Sequence, residues 1–150
     1  MAVITLDFHS KALKMCTLVT LVVPDSVRIK GIPLSARRTV YLLHGLSEDA
    51  TAFLRLSGAE RYARAHDLVL VMPTGGRSMY CDGINGQNWF TYIAEELPEY
   101  LHLLMGLSRR REQNFIAGYS MGGMGAARIA LTFPERYAAW GSFSGALGLR

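Results

Sequence analysis

Asn114-Phe115-Ile116-Ala117-Gly118-Tyr119-Ser120-Met121-Gly122-Gly123 runs from an apolar segment into a serine flanked by glycines, and on into a stretch with helical spacing from Met121 to about Thr132. A strand that turns sharply into a helix forces the residue at the turn into a strained backbone conformation. Small neighbours are needed there, because a Cβ would collide with adjacent elements. Gly118 and Gly122 meet that need. Working outward, Thr39 to Leu43 is short and apolar on both faces, as a central strand of a covered sheet is, and a helical stretch around Gly58 to His66 separates it from a further strand, Leu68 to Met72, ending at Pro73. Tyr137 to Phe143 is a further apolar segment after the serine. Strands alternating with helices in this way predict an α/β fold with a mostly parallel central sheet and helices on both faces.

The N-terminal part has a different rhythm. Ile4, Leu6 and Phe8 fall at period two and Met15 to Val23 is a β-branched run closed by Pro24-Asp25, which predicts an antiparallel pair ahead of the alternating region. A turn is expected near Gly31 to Pro33. From Thr91 to Met105 the apolar residues recur at helical spacing, with Pro98 expected to kink the helix or mark a start within it. Residues 74–88 contain four glycines and no periodicity, making the longest loop, and long loops in compact domains are usually functional or mobile. No repeat or linker divides the chain, so residues 1–150 are read as part of one domain.

Half of the 150 residues are apolar and 19% are charged, enough for a packed core. The net charge of +4 comes from scattered groups such as Arg37-Arg38 and Arg109-Arg110-Arg111 with no aromatic-interleaved basic stripe, so no nucleic-acid partner is expected. Cys16 and Cys81 have neither C-x-x-C spacing nor neighbouring ligands, so two free thiols and no metal are expected. Lys11 to Val23 superficially resembles a secretory signal but lacks a small-residue cleavage site. No apolar run approaches the ~18 residues of a membrane span, and a cytoplasmic protein is the expectation.

The chemistry concentrates at Ser120. The turn lifts its hydroxyl above the sheet and sets the Met121 N–H in the first turn of a helix, where its partial positive charge faces a developing oxyanion. The alternative is a glycine-rich helix start capped by Ser120. Acyl transfer needs a second backbone donor, from the loop after the strand beside the nucleophile strand; there His44-Gly45-Leu46 follows Thr39 to Leu43, and the Leu46 N–H fits. His44 competes as a general base, although a residue bracing that loop is usually not aimed at the nucleophile. His66 reads as a surface or packing residue; His9 and His102 have no catalytic context. Trp89, Phe90 and Tyr92 are candidates for an acyl or aromatic pocket, Trp89 foremost, against a reading as core.

His44-Gly45-Leu46-Ser47-Glu48-Asp49, the Met72-Pro73 strand end, the Trp89 to Glu96-Leu97-Pro98 segment and Gly118 to Gly123 together resemble the esterase D family of α/β-hydrolases. That group includes S-formylglutathione hydrolases, tributyrin esterases, cinnamoyl (feruloyl) esterases and mycolyltransferases. The resemblance runs over nearly the whole chain and is nearest to the bacterial tributyrin-esterase type on the His44 to Asp49 loop. It implies an α/β-hydrolase fold and a serine carboxylesterase acting on short acyl esters, without cofactor or metal.

The chain departs from that pattern after Ser120. The triad order in such enzymes is Ser, then Asp or Glu, then His, whereas here only Glu135 and no histidine follow. The expectation is an N-terminal portion of a single hydrolase domain, truncated at the C-terminus, with a triad acid and base outside residues 1–150. An unpaired sheet edge would then favour self-association. Two further readings share the scaffold: a non-catalytic degenerate homologue, and an acyltransferase.

Overall fold

The computed structural model describes residues 1–148. The N-terminal alternation folds into a hairpin of β1 (Ala2–Ser10) and β2 (Met15–Val23), paired antiparallel from Ala2 opposite Val23 to Ser10 opposite Met15. The segment that resembled a secretory signal is therefore the turn and second strand of this hairpin. A short helix α1 (Ser26–Lys30) and a 3-10 turn (Leu34–Ala36) flank the turn expected near Gly31 to Pro33. Then follow β3 (Thr39–Leu43), α2 (Ala52–Leu56), α3 (Ala59–His66) and β4 (Val69–Pro73). After the glycine-rich loop come α4 (Trp89–Thr91), α5 (Leu97–Met105), β5 (Asn114–Tyr119), α6 (Met121–Thr132) and β6 (Ala139–Phe143).

The six strands lie in the order β1-β2-β4-β3-β5-β6. β3 is parallel to both β4 and β5, and β6 is parallel to β5, while β2 meets β4 antiparallel. The chain steps from β3 outward to β4, then returns past β3 to β5. Right-handed crossovers in these two directions put their helices on opposite faces. The burial follows: Val22, Leu70 and Met72 pack with Ala63 and with Phe53 and Leu54 on one face, and Leu21, Val71, Ile93, Leu97, Leu101 and Ile129 pack together on the other. Adjacent strand residues face opposite ways, so both layers are dry and β4 is buried throughout.

The stretch from Thr91 to Met105 is divided, with a helix start at Pro98 as one of the two expected outcomes. α4 runs into a π-helical turn, Tyr92–Glu96, in which the Leu97 N–H donates to the Tyr92 carbonyl, and α5 starts with Pro98 in its first turn. Proline has no N–H to offer the Ala94 carbonyl four residues back. Arg136 Nη1 donates to that carbonyl instead, at 2.9 Å.

The wider turn also aims Glu96 at the hairpin. Its carboxylate accepts from Ser10 Oγ (2.5 Å), Lys11 N (2.7 Å) and Ala12 N (3.1 Å), so one side chain ties β1–β2 to the helical layer. Hydrogen bonds to a charged acceptor contribute about 1.5–3 kcal/mol each and are not additive. Glu96→Ala should lower the unfolding free energy by about 3 kcal/mol, read as a fall in urea midpoint at constant slope. Glu96→Gln, which keeps one acceptor oxygen, should lose less.

Candidate active site

β3 and β5 are neighbours, with Leu43 opposite Gly118, and the chain leaves their carboxyl ends toward opposite faces of the sheet. Such a divergence opens a crevice at the strand ends. Ser120 follows the end of β5 and the His44-Gly45-Leu46 loop follows the end of β3, at the same edge of the sheet. Ser120 is exposed and has φ 53 and ψ −122. A non-glycine residue in such a conformation carries about 1–3 kcal/mol of strain and persists only when its surroundings over-determine it. Here they do: its N–H donates to the Phe143 carbonyl (2.9 Å), and its carbonyl accepts from Gly123 N (3.0 Å) and Met124 N (3.2 Å).

The glycines are required by contact as well as by turn geometry. A Cβ on Gly122 would lie 2.5 Å from the Leu43 carbonyl carbon and 2.7 Å from the His44 oxygen, and one on Gly118 would lie 2.7 Å from the Leu43 oxygen. The serine turn is thus pressed backbone to backbone against the end of β3. Met121 N–H and Leu46 N–H have no acceptor among the described residues. The first belongs to the helix turn whose N–H groups have no intrahelical partner. The structure therefore sets the Ser120–Met121 turn against the end of β3, from which the His44-Gly45-Leu46 loop leaves.

His44 is buried, at 1% exposure, and both ring nitrogens are engaged. The Gly75 N–H donates to Nε2 at 2.7 Å, so Nε2 is an acceptor and the proton is on Nδ1, which donates to the Gly45 carbonyl at 2.6 Å. A ring committed in this way has no lone pair for the serine proton, which removes His44 as the general base. Burial lowers its pKa from the ordinary 6.5, against a smaller upward pull from the Gly45 hydrogen bond and from Glu48 and Asp49. Because the folded form takes up the proton only below the unfolded value, the unfolded chain binds more protons between the two pKa values. Stability should be level above about pH 6.5 and fall as the pH drops below it, by up to about 1.4 kcal/mol per pH unit. Urea unfolding from pH 7.5 to 5 checks this; His44→Gln should remove that component of the slope.

The aromatic candidates separate. Tyr92 is fully buried core and Phe90 stacks on Phe133 at 6.1 Å between ring centres. Trp89 is half-buried and lines a shallow cavity of about 360 Å³ with Arg77, Cys81 and Ile84 in the glycine-rich loop. His66 is exposed, as expected, and Cys16 and Cys81 are free thiols. No helix among the described residues is long and apolar enough to cross a membrane. Sequence reasoning missed Tyr80, which lies in the loop, is fully buried and donates through its hydroxyl to the His44 carbonyl at 3.0 Å. The only signal was a tyrosine in a glycine-rich loop.

A strained, exposed serine at the strand-end crevice of a mostly parallel sheet, next to two uncommitted backbone donors, has the form of an α/β-hydrolase. The profile of the family described as putative esterase matches residues 10–150. An acetyl esterase of Caldicellulosiruptor saccharolyticus is 28% identical over 98% of this chain and 57% of its own length. Among solved structures, the fluorophosphonate-binding serine hydrolase F of Staphylococcus aureus superposes with a TM-score of 0.88 at 36% identity, over 96% of this chain and 57% of that one. An S-formylglutathione hydrolase of the same organism gives 0.80 at 37% identity, over 91% and 54%. The chain belongs to this esterase family, in the esterase D group of α/β-hydrolases. It spans somewhat more than half the length of these relatives.

Proposed function

We propose that this chain carries the nucleophile and oxyanion hole of a serine carboxylesterase for short-chain acyl esters, with Ser120 as nucleophile and the N–H groups of Met121 and Leu46 as donors. The observation that carries the reading is the strained Ser120 backbone, held at the helix start beside the Leu46 loop. In the reaction the Ser120 oxygen attacks the ester carbonyl while a base takes its proton, and the carbonyl oxygen becomes an oxyanion between the two donors. Collapse expels the alcohol and leaves an acyl-serine that water hydrolyses. The relatives support the ester chemistry, one being described as an acetyl esterase and another as a fluorophosphonate-binding serine hydrolase.

Residues 1–150 are read as the N-terminal portion of one hydrolase domain, with the triad acid and base supplied from outside them. β6 pairs with no strand other than β5 among the described residues and exposes Phe143 to 65%, which makes its free edge the seat for that segment or, without it, for self-association. The two together make up the complete enzyme. Trp89 is the proposed wall of the acyl site, and the reaction is proposed to need no cofactor, metal or nucleic acid and to run in the cytoplasm.

Because a main-chain donor is invoked at position 46, the side chain is dispensable there and the N–H is not. In the complete enzyme Leu46→Ala should keep most of the activity, whereas Leu46→Pro should lose roughly 10²-fold or more in kcat. Circular dichroism controls for distortion by proline. Equal effects of the two substitutions would argue against the role.

A further inference from the structure

Two hydrogen bonds run from the loop at residues 74–88 to the strand end that carries the proposed oxyanion donor. Gly75 N–H holds the His44 ring, and the Tyr80 hydroxyl holds the His44 carbonyl. Tyr80 is built in for this contact. Its side chain is fully buried, and its ring lies so close to Gly75 and Gly125 that a Cβ at either would come within 2.6 and 2.5 Å of ring atoms. Met79 and Tyr80 both adopt left-handed backbone, with φ 55 and 51, a conformation that non-glycine residues keep only under constraint. Ser78 supplies part of that constraint, its Oγ donating to the Gly75 carbonyl (2.6 Å) and accepting from Tyr80 N (3.0 Å).

A peptide group is planar, so fixing its carbonyl fixes the N–H on its other side. The Tyr80 hydroxyl fixes the peptide between His44 and Gly45. The His44 ring fixes the next one, between Gly45 and Leu46, through Nδ1–H to the Gly45 carbonyl. The direction of the Leu46 N–H is the outcome of both. We infer that Tyr80 is a positioning residue of the oxyanion hole, clamping the His44 carbonyl so that the Leu46 N–H stays aimed at the site where charge develops. The inference rests on the reading of Leu46 as an oxyanion donor. Burial raises the Tyr80 pKa, which keeps the hydroxyl protonated and donating throughout the working range.

Tyr80→Phe removes one oxygen and keeps the ring that fills the space between Gly75 and Gly125. In the complete enzyme, kcat per site titrated with a fluorophosphonate should fall by roughly 10-fold or more, with KM within about twofold, because the lost alignment matters most when the oxygen is charged. Affinity for a trifluoromethyl ketone, which forms the oxyanion adduct, should fall by the same factor. A residue that only stabilises the fold would change the number of titratable sites and leave kcat per site alone. Gly75 amide exchange, measured on the same protein, should quicken in Tyr80→Phe as the His44 ring loosens. Unchanged kcat per site in an active enzyme overturns the inference. If wild type shows no Ser120-dependent turnover, the esterase reading fails instead, and unchanged Gly75 exchange then overturns the clamp on its own.

Discussion

Ester hydrolysis by the complete enzyme should fall by roughly 10⁴-fold or more when Ser120 becomes alanine, and fluorophosphonate labelling should vanish with it. Both effects follow from one atom, because the hydroxyl is the only group of Ser120 that can attack and the backbone contacts of that residue survive the change. The strain gives the experiment a second readout. With φ at 53, alanine inherits the unfavourable conformation while glycine does not. Ser120→Gly should therefore be as inactive as Ser120→Ala yet more stable than it by about 1 kcal/mol, a difference reduced by the greater freedom of glycine in the unfolded chain. Urea midpoints of the two variants measure it. Equal stabilities would remove the strain argument; activity retained in either variant, or a label on another serine, would remove the nucleophile.

The serine turn was legible in the sequence because its determinants are local: an apolar run, small residues at fixed offsets, and helical spacing from Met121 to Thr132, which are the bounds of α6. β3 was legible for the same reason, and its place between β4 and β5 agrees with its being apolar on both faces. What could not be read depends on partners far along the chain. The π-helical turn at Tyr92–Glu96 is accommodated because Arg136 satisfies the Ala94 carbonyl from 42 residues away. Tyr80 looked like one more loop residue because its role is set by His44 and by Gly125, neither of which is near it in sequence. The short α2 has only five residues, too few for periodicity to declare itself. Trp89 was ambiguous for a physical reason, since a half-buried aromatic at a helix start satisfies core packing and a cavity wall at once.

The contact between the serine turn and β3 leads to the second large effect, at Gly122. A Cβ there would meet Leu43 and His44 main-chain atoms, at 2.5 Å from the Leu43 carbonyl carbon and closer still to its oxygen, and backbone cannot rotate away as a side chain can. Either α6 must move back from β3 or the His44-Gly45-Leu46 loop must shift outward. Each movement separates Met121 and Ser120 from Leu46, so the oxyanion donors would no longer converge. Overpacking of this kind costs about 1–3 kcal/mol, sometimes more, and a displacement of about 1 Å at a reacting centre costs roughly 10²-fold in rate. Gly122→Ala in the complete enzyme should accordingly lose about 10²-fold in kcat, with a lower urea midpoint. Gly148→Ala, where a Cβ would meet nothing within 4 Å, should lose neither. Wild-type rate and stability in Gly122→Ala would mean that the two strand ends are not packed as tightly as the site requires, and the shared crevice of Ser120 and Leu46 would have to be abandoned with them.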